Sequence, residues 1–319
     1  MEVYRISHEE MLEWCSIPME QLENHPDSKV DLKIFDSRRL TMERAADMMA
    51  DEVKKNNAEG KITKWILGSG PEDQFQHFID RVNNERISLK NLYIFHMDFG
   101  LDWNSRPFPE GNNWHSPQGR MKVRFYGKID PELNVPEEQR IWPRLEDLDY
   151  IDNKIEEMGG VDTLWAGIGY KGLVAWCEAP EDPYQRVTEE MYINMKTRVI
   201  RSNVEKVIEA SQRIYGGCYD MIPHQAVTIG MKSMLSAKRA VCMIPTGEWK
   251  MTALRVLMFS DATLEYPCTL LPKYIPEVVV LTDKNTASHP LSRGEIILSN
   301  ENQTRFAGGK PCIKRARSF

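Results

Sequence analysis

Hydrophobic and polar residues follow two alternating periods along this chain. Short, nearly continuous apolar runs at 32–35, 64–67, 92–95, 163–166, 239–244 and 278–281 have the length and the β-branched and aromatic content of buried strands. Between them, apolar residues recur at helical spacing. Met42, Ala45, Ala46, Met49 and Val53 predict a helix over 41–55, and further helices are expected over 72–83, 145–158, 189–214 and 247–258. Strands alternating with helices predict an α/β fold, a three-layer Rossmann-like domain with a mainly parallel sheet and helices on both faces. Residues 1–29 read as a helical N-terminal extension ending at His25-Pro26-Asp27-Ser28, residues 30–290 as a single α/β domain, and 291–319 as a C-terminal tail. The tail's basic end, Lys310 to Arg317, reads as solvated surface. The stretch 99–118, rich in Pro, Gly, Asn and Trp, is expected to be irregular, and long loops of that kind are usually functional or mobile.

In open α/β sheets, ligands bind beyond the carboxyl ends of the strands. The candidates there are Gly68-Ser69-Gly70 after the second run and Asp98 after the third. Gly167-Ile168-Gly169-Tyr170-Lys171-Gly172 follows the fourth, with Glu178 behind it, and Thr246-Gly247 with Lys250 follows the fifth. Two carboxylates, a lysine and two glycine-rich turns on one sheet edge make a pocket. The Gly167-x-Gly169-x-x-Gly172 spacing is also that of a dinucleotide fingerprint. Such a fingerprint opens directly into a helix, however, and Pro180 and Pro183 interrupt here. A tight turn beside a ligand is the better reading, and no cofactor is expected.

Charge narrows the partners. The 319 residues carry 41 Lys and Arg against 47 Asp and Glu, a net of −6, which disfavours nucleic acid and anionic membrane as partners. No apolar run approaches the roughly 18 residues of a membrane span. The first residues lack the basic and apolar regions of a signal peptide, so a cytoplasmic protein is expected. Six scattered cysteines without CxxC, and seven dispersed histidines without HExxH, argue for reduced thiols and against a metal site.

Four segments carry a resemblance. Phe95-His96-Met97-Asp98 resembles F-N-M-D-E-Y, and the segment from Ala166 to Glu178 resembles G-G-V-G-x-D-G-H-I-A-F-N-E. Ala226-Val227-Thr228-Ile229-Gly230 resembles A-L-T-V-G, and the segment from Gly247 to Leu254 resembles G-x-x-K-A-x-A-L. These are motifs of the glucosamine-6-phosphate deaminase/isomerase family, whose fold the 6-phosphogluconolactonases share. The resemblance runs from about Leu32 to Asp283 and implies a small-molecule sugar or sugar-phosphate ligand. It implies catalytic roles for Asp98, which would transfer a proton between C2 and C1, and for Glu178, the outer carboxylate of the ring-opening group. Lys250 would hold phosphate, with Ser69, Gly70, Gly167 and Gly169 around the ligand and Arg201 near the position of the family's phosphate-binding arginine.

The departures are as informative. The family's ring-opening histidine is Leu173 here, and its carboxylate neighbour is Lys171. Lys171 is expected to be a solvated loop residue, to pair with Glu178 or, if buried opposite Asp98, to act as acid, base or amine nucleophile. His96, His115 and His224 are the remaining histidines that could stand in. In the phosphate turn, Pro71 removes an amide donor and Glu72 adds a negative charge. The implied function is a divergent sugar or sugar-phosphate isomerase/deaminase. The alternative is a non-catalytic sugar-binding or regulatory protein, and a lactonase comes third, since that family also relies on a histidine in this segment. Self-association is expected from the resemblance alone.

Overall fold

A computed structural model describes residues 6–69, 73–111, 115–181, 184–245 and 247–295. Gly70, Pro71, Glu72 and the basic tail end therefore lie outside the described residues.

The chain begins with α1 (His8–Ser16), whose N-terminus is closed by a reciprocal capping box between Ser7 and Glu10. Then follow β1 (Asp31–Phe35), α2 (Arg38–Ala58), β2 (Thr63–Leu67), α3 (Asp73–Asn84), β3 (Leu92–His96) and β4 (Asp98–Leu101). After α4 (Pro117–Arg124) come β5 (Arg140–Ile141), α5 (Tyr150–Glu157), β6 (Thr163–Gly167), α6 (Glu189–Ile193), β7 (Arg198–Arg201) and α7 (Val204–Tyr215). The last elements are β8 (Gln225–Thr228), α8 (Met231–Met234), β9 (Arg239–Met243), α9 (Met251–Phe259), α10 (Leu271–Tyr274), β10 (Glu277–Asp283) and α11 (Lys284–Ala287).

Seven strands form one parallel sheet in the order β1-β10-β9-β6-β2-β3-β5. Side chains alternate faces along a strand, and both faces are covered, which is why these runs are apolar throughout. Ile66, Phe95, Leu164, Cys242 and Val280 enter one core with residues of α5, α8 and α9. Their neighbours Trp65, Leu67, Ile94, Trp165 and Val241 enter the other, with residues of α2 and α3. Trp65 and Trp165 meet edge to face, ring centroids 5.7 Å apart. The expected doubly covered parallel sheet is thus observed.

Two expectations are corrected. The helix expected over 189–214 is α6, a turn, β7 and α7. Thr188 caps α6 by accepting the Met191 N–H, and α6 stops at Asn194. The β-branched Val199 and Ile200 then pair with β8 rather than extending a helix. In addition, the irregular stretch starts with a strand. β4, β8 and β7 form a separate antiparallel sheet that the apolar runs did not announce. Within the stretch before the sheet, Leu22 is fully buried in the first core, and Trp14 of α1 lies 6.4 Å from Phe259.

Candidate active site

The sheet order fixes where a ligand can sit. β2, β3 and β5 run outward on one side of the β2/β6 seam, and β6, β9, β10 and β1 on the other. Loops leaving β2 and β6 therefore part company at that seam, and crevices of this kind are the binding sites of open parallel sheets. A cleft of about 350 Å³ lies there, lined by Ser69 after β2, Asp98 after β3, Gly167 at the end of β6 and Gly169 beyond it, and Lys250 before α9. Arg120 of α4, His115, Leu173, Trp176, Lys206 and Tyr215 complete its wall.

Asp98 is held where the two sheets join. The Met97 N–H bonds to the Leu67 carbonyl at 3.3 Å, and the Met97 carbonyl accepts the Ile229 N–H at 2.8 Å. Asp98 then opens β4 opposite Thr228. Burial pushes its carboxyl up to about 6, against the pull of the Lys206 and Arg120 charges and a hydrogen bond from the Trp176 side chain. Trp176 is itself fixed by its backbone N–H, which bonds to Thr228 Oγ1 at 3.1 Å.

The loop after β6 winds tightly, with Lys171, Gly172 and Ala175 all at positive φ (53°, 72° and 53°). Left-handed backbone costs a side-chain-bearing residue roughly 1–2 kcal/mol, and such strain concentrates at functional sites. Isolated bridges between Ile168 and Val174 and between Val174 and Cys177 hold it. Leu173, at the tip of this loop, packs against Gly169, where any Cβ would collide with it.

Lys250 is 7% exposed. Burial, helped by the Arg213 charge, lowers its ammonium from 10.5 to about 7. Its Nζ lies 4.4 Å from the Trp249 ring centroid, and the Arg213 guanidinium covers the same ring at 3.9 Å. The turn before it requires glycine at 247, where φ is 79° and the N–H bonds to Thr286 Oγ1 at 2.7 Å.

Of the residues singled out in the sequence, Asp98, Ser69, Gly167, Gly169 and Lys250 meet in the cleft. Glu178 stands just behind, lining a smaller pocket that it shares with Lys206. Two placements correct the sequence reading. Lys171 does not face Asp98 or pair with Glu178; its ammonium lies 3.0 Å from Glu181 and 3.6 Å from Glu205. Arg201 is exposed at the end of β7, opposite Gln225, and does not line the cleft. Of the histidines, His96 is fully buried, stacked 3.7 Å from the Trp142 centroid and bonded to Tyr126 Oη at 2.8 Å. His224 packs on Trp103, and only His115 reaches the cleft, at its edge.

The residues missed in the sequence are Lys206, Arg120 and Trp176. Lys206 Nζ sits 3.5 Å from Glu178 Oε1 and 3.0 Å above the Trp176 ring centroid. Burial lowers its ammonium to about 8, opposed by Glu178 and Asp98, while burial raises Glu178 despite Lys206. A Ser116 cap followed by Pro117 announces the α4 helix that carries Arg120, a start signal readable in sequence. Among the described residues, no cluster of His, Cys, Asp and Glu could hold a metal ion, and no helix is long and apolar enough to cross a membrane.

Fold and cleft together define an α/β protein with an anion-attracting site at the switch point of its sheet. No protein-family model matches the sequence. Curated relatives do. A glucosamine-6-phosphate deaminase of Mycoplasma mycoides is 25% identical over 266 residues, covering 81% of this chain and 96% of its own. That of Bacillus velezensis is 27% identical over 253 residues, covering 77% and 93%. Among solved structures, a monomeric glucosamine-6-phosphate deaminase superposes with a TM-score of 0.66 at 22% identity, over 80% of this chain and 98% of its own. The 6-phosphogluconolactonase of Plasmodium vivax gives 0.59 at 14% identity, over 88% and 99%. The chain is a divergent relative of the glucosamine-6-phosphate deaminases, on a fold that the 6-phosphogluconolactonases share.

Proposed function

We propose that the chain is a sugar-phosphate isomerase or amino-sugar-phosphate deaminase in which Asp98 moves a proton between C1 and C2. The observation that carries this reading is the Asp98 carboxyl lining one cleft with three basic side chains, Lys206, Arg120 and Lys250, where burial raises it to about 6. A base with that affinity is charged at neutral pH yet strong enough to take a carbon-bound proton from an activated position. Lys250 and its Trp249–Arg213 neighbours supply the anion-holding corner for the phosphate, and Ser69 lines the same cleft. Relatives that bear the name glucosamine-6-phosphate deaminase support the sugar-phosphate class.

Leu173 cannot carry a proton, so the substrate favoured here is one that reaches the cleft in its open-chain form. Every residue in this chemistry comes from one chain, so the reading needs no oligomer.

The test is solvent deuterium incorporation, followed by NMR, into glucosamine 6-phosphate, fructose 6-phosphate and erythrose 4-phosphate. The last has no free hydroxyl placed to close a five- or six-membered ring. Incorporation is expected into at least one, most readily the acyclic probe, and is expected to vanish in Asp98→Asn with the fold intact. Incorporation that persists in Asp98→Asn refutes the assignment of the base. A second reading, a sugar-phosphate binding protein without turnover, is favoured by the apolar side chain at 173. It predicts thermal stabilisation by these probes with no incorporation into any of them.

A further inference from the structure

We propose that Lys206 is a catalytic residue, whose ammonium reaches the carbonyl oxygen of an open-chain sugar phosphate held over Asp98 and exchanges a proton with it. The inference rests on reading the cleft as a C1/C2 proton-transfer site.

Geometry supports it. Lys206 lines both the main cleft and the small pocket behind it, so its side chain forms the partition between Glu178 and the ligand space. The indole of Trp176 bridges the two chemical groups, bonded to Asp98 and covered by the ammonium at 3.0 Å. Base and ammonium are thus held by one ring, the carboxyl at its N–H edge and the ammonium over its face, and both line the same cleft, where a proton acceptor at carbon and a proton donor at the adjacent oxygen are needed.

The contact with Glu178 does not use the ammonium up. At 3.5 Å it is longer than a good hydrogen bond, and Nζ is enclosed without one. An ammonium has three donors, and burying it for structural reasons alone is a poor bargain when its partner is held at that distance. Glu178 acts as a positioning residue. Its other oxygen accepts the Asn203 N–H at 2.7 Å, which ties the strained loop to the start of α7 and sets Lys206 one turn along.

The step balances without a co-reactant. The Asp98 carboxylate takes the proton from C2 while the Lys206 ammonium gives one to O1, and the C1–C2 bond becomes the double bond of an enediol. The O2 hydroxyl then returns a proton to the Lys206 amine as the C2 carbonyl forms, and the protonated Asp98 delivers its proton to C1. Both side chains end as they began. A 2-amino substrate follows the same course to an imine at C2, which water hydrolyses with release of ammonia.

The charged groups facing Lys206 are Glu178 from the loop after β6, Asp98 from β4 and Glu209 one turn along its own helix. Arg120 of α4 faces Asp98, and the ion cluster of Lys171, Glu181 and Glu205 stands at the rim. With the carboxyl near 6 and the ammonium near 8, exchange is expected to rise with pH through the first value and fall through the second.

The experiment measures deuterium incorporation into the same three sugar phosphates by the full chain, by Lys206→Ala and by Lys206→Met, with and without added ethylammonium. Lys206→Ala is expected to lower kcat about 10²- to 10⁴-fold, with KM changed little because Lys250 still holds the phosphate. It is also expected to lose the alkaline limb and to recover rate with ethylammonium. Lys206→Met keeps the buried stem and gives the same loss if the alanine variant unfolds. Wild-type rates in both variants while Asp98→Asn is inactive overturn the role of Lys206 and leave the base standing. Loss without amine rescue and with the alkaline limb unmoved also overturns it, since that is what a merely structural lysine gives. No incorporation by the wild-type chain into any probe overturns both readings.

Discussion

Lys250 offers a sharp test because its predicted effects on stability and on binding have opposite signs. Replacing it by methionine keeps the length and the apolar stem but removes the charge. Burial holds the folded-state ammonium near 7, against 10.5 for an unburied lysine. That difference corresponds to about 5 kcal/mol at most. In the unfolded chain the lysine stays protonated up to about 10.5. Between 7 and 10.5 the unfolded state therefore binds more protons, and wild-type stability rises with pH across that window. Below 7 both states carry the proton, and the full cost of burying it remains. Lys250→Met is accordingly expected to be more stable than wild type by about 1–4 kcal/mol at pH 6, the range seen when buried charges give way to well-packed apolar groups. The advantage should shrink steadily toward pH 10. Urea unfolding at pH 6, 7.5 and 9.5 measures it. In parallel, inorganic phosphate should raise the wild-type midpoint by mass action and leave the variant unmoved. A Lys250→Met protein less stable than wild type at pH 6, or an advantage independent of pH, would show that the lysine is not held as a costly buried cation.

Further outcomes follow from the packing. Gly230 caps α8, and a Cβ there would fall 1.9 Å from the Met195 carbonyl oxygen. Because that obstacle is backbone, Gly230→Ala is expected to cost about 3 kcal/mol or more, read as a lowered urea midpoint. Arg201→Ala, by contrast, alters an exposed strand end outside the cleft. It should leave both deuterium exchange and phosphate stabilisation at wild-type levels, and a loss of either would return Arg201 to the site.

What could be read from sequence follows the physics of each segment. The runs at 64–67 and 163–166 were legible because a strand buried on both faces has no polar alternation to confuse it, and all five residues of β2 are buried. β7 was not, because Val199 and Ile200 sit where a helix continuing from Glu189 would also want apolar residues. Its burial simply alternates between half-buried and exposed. That error hid Lys206. Inside a 26-residue helix nothing in Val-Glu-Lys sets Lys206 apart, whereas the turn at 194–197 and the β7 strand bring α7 back over the cleft. Lys171 misled for the opposite reason. It lies within the glycine-rich motif, but its positive φ turns the loop there and its ammonium is taken up by Glu181. Sequence order identified the strand ends that meet at the seam and Lys250 beside them, and the tertiary path of α7 and α4 supplied the other two cations, Lys206 and Arg120.

Leu173 ties these observations together. The sequence resemblance puts it where a ring-opening histidine is expected, and on the proposed reading an aliphatic side chain there does more than leave that histidine out. Leu173 lines the cleft together with Asp98, Lys206 and Lys250. Each of these three groups is shifted toward its neutral form, and burial is the leading cause in every case. An imidazole at 173 would admit water or carry charge into that space, and by solvating the neighbours it would draw the carboxyl down and the ammonium groups up. The aliphatic side chain adds no charge to that wall, and burial there brings a carboxyl near 6 and an ammonium near 8 to the two sides of neutrality. Two titrating groups pushed toward each other across pH 7 are what a proton transfer from carbon to a neighbouring oxygen requires. Ring opening would need a third. On the proposed reading, a residue type suited to opening a ring is absent while the environment suits the step after it, and an acyclic sugar phosphate is therefore the substrate this cleft is expected to favour.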